Sequence, residues 1–314
     1  MNKKILGIGN AIVDVLAKVD DEFLKKNNLT KGSMKLINKS EFENLKKNIK
    51  IEKVVAGGSV ANTMAGIANL QGKPSFIGKI NSDNFGEMYK KSLQDINVNF
   101  TYLEKNENLS TGASIILITP DSERTMCTYL GVSSHLSKDD INEKNISDHE
   151  LIFLEGYLWD KGISEKTFKH IINIAKKNNI KIAMSLSDIF CVNRHKQDFY
   201  NLLLNDLDIL IGNENEIKEL TDKKNLLDSI NKLKELNKLI VITRSENGSV
   251  AIKNNEIVNC NSIKINKVLD LTGAGDLFAA GFLKEYLDKS DIKKCLTTGS
   301  ITASKIIQKI GARL

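Results

Sequence analysis

The sequence predicts an α/β fold: a doubly wound, mostly parallel sheet flanked by helices, with a small β-sheet lid beside it. Short apolar runs recur along the 314 residues, helical periodicity fills the gaps between them, and two stretches break the alternation with extended patterning. The apolar runs are Ile5 to Ile8, Ser75 to Gly78, Leu151 to Leu154, Lys181 to Met184, Ile209 to Ile211 and Leu239 to Thr243. Runs without polar alternation are buried on both faces, as a parallel sheet between two helix layers demands. Between them, Val60 to Leu70, Glu165 to Asn178, Glu214 to Leu220 and Asn225 to Leu236 repeat apolar residues at helical spacing. The two exceptions are the stretches at about 13–37 and about 100–130. In the second, Gly112 to Thr119 runs into Pro120-Asp121-Ser122-Glu123, which has hairpin-turn chemistry. These two stretches are expected to form a small separate sheet, inserted discontinuously, that serves as a lid over the active site or as an oligomer interface. No Pro/Gly/Ser-rich linker divides the chain, so residues 1–314 read as one domain.

Composition excludes several functions. The longest apolar runs are too short to cross a bilayer. Met1-Asn2-Lys3-Lys4 leads into a run at Ile5 to Gly9 that suits a first strand, not a secretion signal. The net charge of +6 comes from dispersed lysines beside acids and asparagines, with no cluster of arginines and aromatics, so neither nucleic acid nor membrane is expected as a partner. Cys127, Cys191, Cys260 and Cys295 lack metal-ligand spacing, and four scattered thiols suit a reducing, cytoplasmic setting.

Glycine motifs narrow the chemistry. Gly7-Ile-Gly9-Asn-Ala-Ile12 lacks the third glycine of a dinucleotide fingerprint and precedes an extended segment instead of a helix. No P-loop occurs. The informative segment is Asp270-Leu-Thr-Gly-Ala-Gly-Asp276-Leu-Phe-Ala-Ala-Gly-Phe282. Thr272 is placed to cap a helix opened by Gly273, Ala274 and Gly275, whose amides would form an anion hole. Asp276, in the same turn, could accept a proton from an attacking hydroxyl, and the helix N-terminus is expected to lower its pKa. A second motif, Ala56-Gly57-Gly58-Ser59-Val60-Ala61-Asn62-Thr63, pairs glycines that admit a ligand hydroxyl to the backbone with an asparagine that both donates and accepts.

Together these segments resemble the ribokinase (PfkB) family of carbohydrate and nucleoside kinases, over nearly the whole chain and in the same order. Gly57 to Asn62, extending to Gly78-Lys-Ile-Asn-Ser-Asp83-Asn-Phe-Gly86, is similar to the early family signature; Asp270 to Asp276 is similar to the later one; Asn213-Glu214-Asn215-Glu216 matches its Asn-x-x-Glu motif. Gly9-Asn10-Ala-Ile-Val-Asp14 and Val19-Asp20-Asp21-Glu-Phe-Leu24 resemble the opening of the adenosine kinase branch. The chain departs from the family pattern at Leu271, Thr272 and Ser245.

The resemblance implies transfer of the γ-phosphoryl group of ATP to a primary hydroxyl, most simply the 5′-hydroxyl of adenosine or a related nucleoside. The alternatives are a sugar acceptor (ribose, fructose or a keto-sugar acid) and a non-catalytic nucleoside and ATP sensor, which would have no use for Asp276. It implies Asp276 as the catalytic carboxylate, assisted by the amides of Gly273, Ala274 and Gly275 and by Arg124 on the lid. Asn10, Asp14, Gly58, Ser59 and Asn62 would hold the acceptor, with Tyr157 and its neighbour Trp159 as an aromatic wall. Asn213, Thr243, Ser245 and Gly248, with Gly273 and Gly275, would hold the nucleotide. Mg2+ would meet Glu216 and Asn213 through water, and a monovalent cation such as K+ could sit near Asp270. The expected assembly is a monomer or homodimer.

Overall fold

The computed structural model describes residues 3–101, 108–160 and 165–314. In chain order the strands are β1 (Lys4–Ile8), β2 (Ile12–Lys18), β3 (Met34–Leu36), β4 (Ile51–Ala56), β5 (Lys73–Ile77), β6 (Asn99–Phe100), β7 (Gly112–Ile118), β8 (Arg124–Tyr129), β9 (Leu151–Glu155), β10 (Lys181–Ser185), β11 (Ile209–Asn213), β12 (Leu239–Thr243), β13 (Ser249–Lys253) and β14 (Glu256–Cys260). The helices are α1 (Asp21–Lys26), α2 (Lys39–Lys47), α3 (Ser59–Asn69), α4 (Asn84–Gln94), α5 (Glu143–Ser147), α6 (Glu165–Lys177), α7 (Ile189–Asn205), α8 (Glu214–Thr221), α9 (Leu226–Leu233), α10 (Ala274–Leu287) and α11 (Ile292–Ile306).

The main sheet has nine strands in the order β14-β13-β12-β11-β10-β9-β1-β5-β6. The six strands anticipated from apolar runs are its contiguous middle, β12 to β5, and all pair in parallel. The strands not anticipated are at the edges. β6 spans two residues, β13 and β14 pair antiparallel, and β14 is mostly exposed, so it carries no continuous apolar run. Two apolar clusters cover the sheet, one on each face.

The smaller sheet has the order β3-β8-β7-β2-β4. Four of its strands fall in the two extended stretches read from the sequence. The fifth, β4, was not anticipated: its partly exposed Ile-Glu-Lys-Val-Val-Ala pattern has no clean alternation. β7 and β8 form a hairpin through the Pro120 to Glu123 turn, where Ser122 takes φ +67°.

Two features locate the site. First, β1 lies between β5 and β9, so the order reverses there and leaves a crevice beyond its carboxyl end. The chain runs from β1 into β2 in three residues, which hangs the second sheet over that crevice. Second, α3 and α10 cross closely. A Cβ added to Gly66 would stand 2.6 Å from Ala280 Cβ and 2.7 Å from Leu277 Cδ1. The crossing buries Met64, Ile67, Leu277 and Phe282 completely, each such side chain stabilising by about 1.5–3 kcal/mol. It also sets the first turn of α3 against the first turn of α10. Among the described residues, no helix is long and apolar enough to cross a membrane.

Candidate active site

A cavity of about 220 Å³ opens between the two sheets. At its inner end stands Asp276, in the first turn of α10. Ser59 Oγ donates to Asp276 Oδ1 at 2.7 Å and Asn62 Nδ2 donates to Oδ2 at 3.0 Å. Thr63 Oγ1 reaches the Asp276 carbonyl at 3.1 Å, tying the two helix starts together. Burial raises the Asp276 pKa to about 6, against the pull of Asn62, Ser59, Arg313 and Arg124. The lowered pKa expected from helix position is therefore corrected: removing the carboxylate from water outweighs the dipole and both hydrogen bonds.

The cap is corrected as well. Gly273, not Thr272, is the N-cap of α10, at φ +75°. Thr272 spends its hydroxyl and its amide on Asp270 Oδ1, at 2.6 and 2.9 Å. The Ala274 amide is also engaged, donating to Leu271 O at 3.2 Å, so it drops out of the expected anion hole. Among the described residues, the amides of Gly273, Gly275 and Asp276 have no hydrogen-bond partner. A Cβ built on Gly275 would meet nothing within 4 Å. Unpartnered amides facing open space at a helix N-terminus suit a phosphate.

Asp14, on β2, borders the same end of the cavity. Burial raises its pKa to about 7, opposed first by Arg313. Gly57 makes room for it, since a Cβ there would lie 2.2 Å from Asp14 Oδ2. Gly58 has φ +85°, and its added Cβ would strike Asn10 O at 2.5 Å. Asn10 Oδ1 is buried against the cavity and, among the described residues, has no partner, so it is an acceptor awaiting a donor.

The other end of the cavity is mostly apolar, the hydroxyls of Ser114 and Thr128 there being 2.8 Å apart and paired with each other. Ile12, Met34, Leu36, Ile116, Met126 and Leu130 come from the smaller sheet and the residues flanking it. Tyr157 closes one side, its hydroxyl donating to Asp188 Oδ2 at 2.8 Å. Trp159 does not border the cavity; it packs on Phe168 and Phe199. Asp160 sits nearby, held by Arg194 and by His195, whose Nε2 is 2.8 Å from Oδ1. Arg124, at the start of β8, borders the cavity and lies 2.8 Å from Asp270 Oδ1. Its N–H is not aimed at that oxygen, so the contact is ionic. Asp270 is further engaged by Thr272 and by the Gly311 amide, 2.7 Å from Oδ2.

Of the residues expected at the nucleotide, Gly273 borders this cavity, whereas Asn213, Thr243, Ser245 and Gly248 do not. Asn213 and Thr243 end β11 and β12 in register with each other, so they share one edge. Ser245 (φ +49°) and Gly248 (φ +80°) form the turn into β13. A Cβ at Gly248 would lie 2.0 Å from Cys260 O, so this turn itself requires glycine. Asn213 and Glu216 form a capping box on α8. Asn213 Oδ1 accepts from the amides of Asn215 and Glu216, while Glu216 accepts from the Asn213 amide (2.9 Å) and from Asn213 Nδ2 (2.6 Å). Each of their polar side-chain atoms is already used, a geometry suited to meeting a cation through water and not to direct ligation.

Two residues of the site escape sequence reading. Glu155 ends β9, and its carboxylate accepts from Asn10 N at 2.8 Å and Val60 N at 3.0 Å. It thereby pins the exit of β1 to the first turn of α3, and burial raises its pKa to about 7. Arg313, which follows α11, donates to Asn62 Oδ1 at 3.0 Å. A lone Glu and a lone Arg carry no spacing signal; only the fold brings them here.

Comparison with known proteins fits this geometry. The profile of the "pfkB family carbohydrate kinase" matches residues 25–314. The crystal structure of adenosine kinase from Sinorhizobium meliloti superposes with a TM-score of 0.96 at 35% identity, covering 100% of this chain and 96% of that one. A probable sugar kinase from Rhizobium etli gives 0.95 at 34%, with the same coverage. Adenosine kinase 2 of Arabidopsis thaliana is 25% identical, over 98% of this chain and 94% of its own length. The fold is ribokinase-like, and the protein is a phosphotransferase acting on a hydroxyl group. The chain belongs to the pfkB family of carbohydrate kinases.

Proposed function

We propose that the protein transfers the γ-phosphoryl group of ATP to the 5′-hydroxyl of adenosine or a closely related nucleoside. One observation carries this reading: the cavity has two unlike ends. Asn10, Asp14, Gly58 and Asn62 make one end polar, suited to ribose hydroxyls, while the smaller sheet makes the other an apolar slot. A sugar alone would leave that slot unfilled; the flat face of a base would bury against it.

In this reading Asp14 and the unpartnered Asn10 Oδ1 hold the ribose hydroxyls. The 5′-oxygen then stands before Asp276, which accepts its proton as the new O–P bond forms and the bond to the ADP oxygen breaks. Ser59 and Asn62 keep the carboxylate aimed, so it acts mainly by position, which suffices for a loose phosphoryl-transfer transition state. The amides of Gly273, Gly275 and Asp276 take the charge on the equatorial oxygens. Arg124 adds a cation from the smaller sheet, which acts as a lid excluding water. The ATP chain lies toward Thr243, Ser245 and Gly248. Asn213 and Glu216 would hold a magnesium ion through water, and that ion would offset phosphate charge.

A sugar acceptor is the second reading, favoured by the Rhizobium etli relative described as a probable sugar kinase. ADP release measured against nucleosides and sugars separates the two. Adenosine or a close analogue is expected to give the highest kcat/KM; a free sugar surpassing every nucleoside would refute the nucleoside assignment.

A further inference from the structure

We propose that Arg313 is a positioning residue for Asp276: its guanidinium fixes the orientation of the Asn62 amide and, through it, the carboxylate. The inference rests on the reading of Asp276 as the proton acceptor. A guanidinium only donates, so the oxygen of Asn62 must face Arg313, at 3.0 Å from Nε. That leaves Asn62 Nδ2 pointing at Asp276 Oδ2. The ionised carboxylate, which only accepts, asks for the same rotamer from the other side; without Arg313 the Asn62 oxygen loses its donor and the amide keeps a single orienting contact.

The guanidinium is itself held on three sides. Nη1 donates to Ser92 Oγ and Nη2 to Gly57 O, both at 3.1 Å, and the group lies 6.0 Å from the centre of the Tyr89 ring. The segment carrying it is anchored two residues earlier, where the Gly311 amide meets Asp270. A planar fork suits this arrangement; a lysine cannot serve Asn62, Ser92 and Gly57 at once. The groups facing Asp276 are Asp14 from β2, Glu155 from β9, Arg124 from β8 and Arg313. Arg124 is already engaged with Asp270, so loss of Arg313 leaves three neighbouring carboxylates with one shared cation.

The test compares Arg313→Met and Arg313→Lys in the full chain. The Met variant is expected to lower kcat on the order of ten- to a hundredfold, as misplacement of a reacting group does, and to move the acidic limb of the pH–kcat profile upward. The Lys variant is expected to keep the limb near its wild-type position while recovering only part of kcat. A Met variant with wild-type kcat and an unmoved limb would overturn the proposal. Should that variant fail to fold, Arg313→Lys decides alone, because wild-type kcat in it removes the need for the fork. A 13C titration of the Asp276 carboxyl without substrate reads the coupling directly. If the wild type phosphorylates no acceptor, the kinase reading of the site falls, while an unchanged titration in the variants is what sinks Arg313.

Discussion

At the acceptor end of the cleft, Asp276 is held by Ser59 and Asn62, which lie 217 and 214 positions away in the chain. At the end proposed for the nucleotide, Asn213 and Glu216 close on each other within one turn of α8. The first end is assembled by the fold: two helix starts, two sheets and Arg313 converge, and the hydrogen bonds cross between them. The second is assembled locally, and its polar atoms are satisfied before any ligand arrives. The acceptor end is therefore preorganised, with Asn10 Oδ1 and the amides of Gly273, Gly275 and Asp276 left open among the described residues. The nucleotide end offers strand termini and a turn. Substitutions at the first end should act on turnover and acceptor affinity, and those at the second mostly on stability and metal response.

The largest expected effect tests the first half of that contrast. Asp276→Asn keeps the shape of the side chain and removes the proposed proton acceptor. Turnover should fall on the order of 10²- to 10⁴-fold, while nucleoside binding, followed by thermal shift, remains. With the Asp276 pKa raised to about 6, the ionised, accepting form is lost as pH falls through that value. Wild-type kcat should decline below about pH 6 and level off above it. Near-normal turnover in the variant would remove Asp276 from the chemistry.

A middle-sized effect concerns Gly57, which makes room for the Asp14 carboxylate. Gly57→Ala would put a Cβ 2.2 Å from Asp14 Oδ2 and displace that carboxylate. Acceptor KM should rise on the order of tenfold or more with kcat affected less, since ground-state binding is what is lost. In an Asp14→Ala background the clash disappears, so adding Gly57→Ala should cost little further. A double-mutant cycle measures this, and additive effects would break the link between the two residues.

How much of this the sequence displays follows from the same contrast. The six central strands were legible because burial on both faces leaves continuous apolar runs. The edge strands β6 and β14 and the half-exposed β4 were not, because partial exposure erases the pattern. Gly57, Gly58 and Asp276 stood out because a glycine run before a helix is a local signal. Glu155 and Arg313 did not, since their partners are 95 to 256 positions away. The direction of the Asp276 pKa was misread for a related reason: helix position is visible in sequence, whereas burial depends on the crossing of α3 and α10. The cap falls to Gly273 because Thr272 serves Asp270 instead, a partner the local sequence does not single out.

The smallest effect on activity is expected at Glu216, and it probes the locally built end. Burial raises its pKa to about 7 from an ordinary 4.5. The folded state thus holds the proton more tightly than the unfolded state does. By linkage, the stabilising contribution is complete below about pH 4.5 and is lost as pH rises through about 7. Glu216→Gln cannot titrate and so lacks that slope. It also sets an amide N–H toward one of the two Asn213 donors, which costs on the order of 1–3 kcal/mol. The wild type should therefore be more stable than the variant by a margin that narrows between pH 5 and pH 7.5, as followed by Tm. Turnover at saturating magnesium should change only a few-fold if, as proposed, the side chain would meet the metal only through water. A margin that stays constant with pH would mean that Glu216 is ionised throughout, and the box would then be a standing negative charge beside the nucleotide instead of a neutral cap.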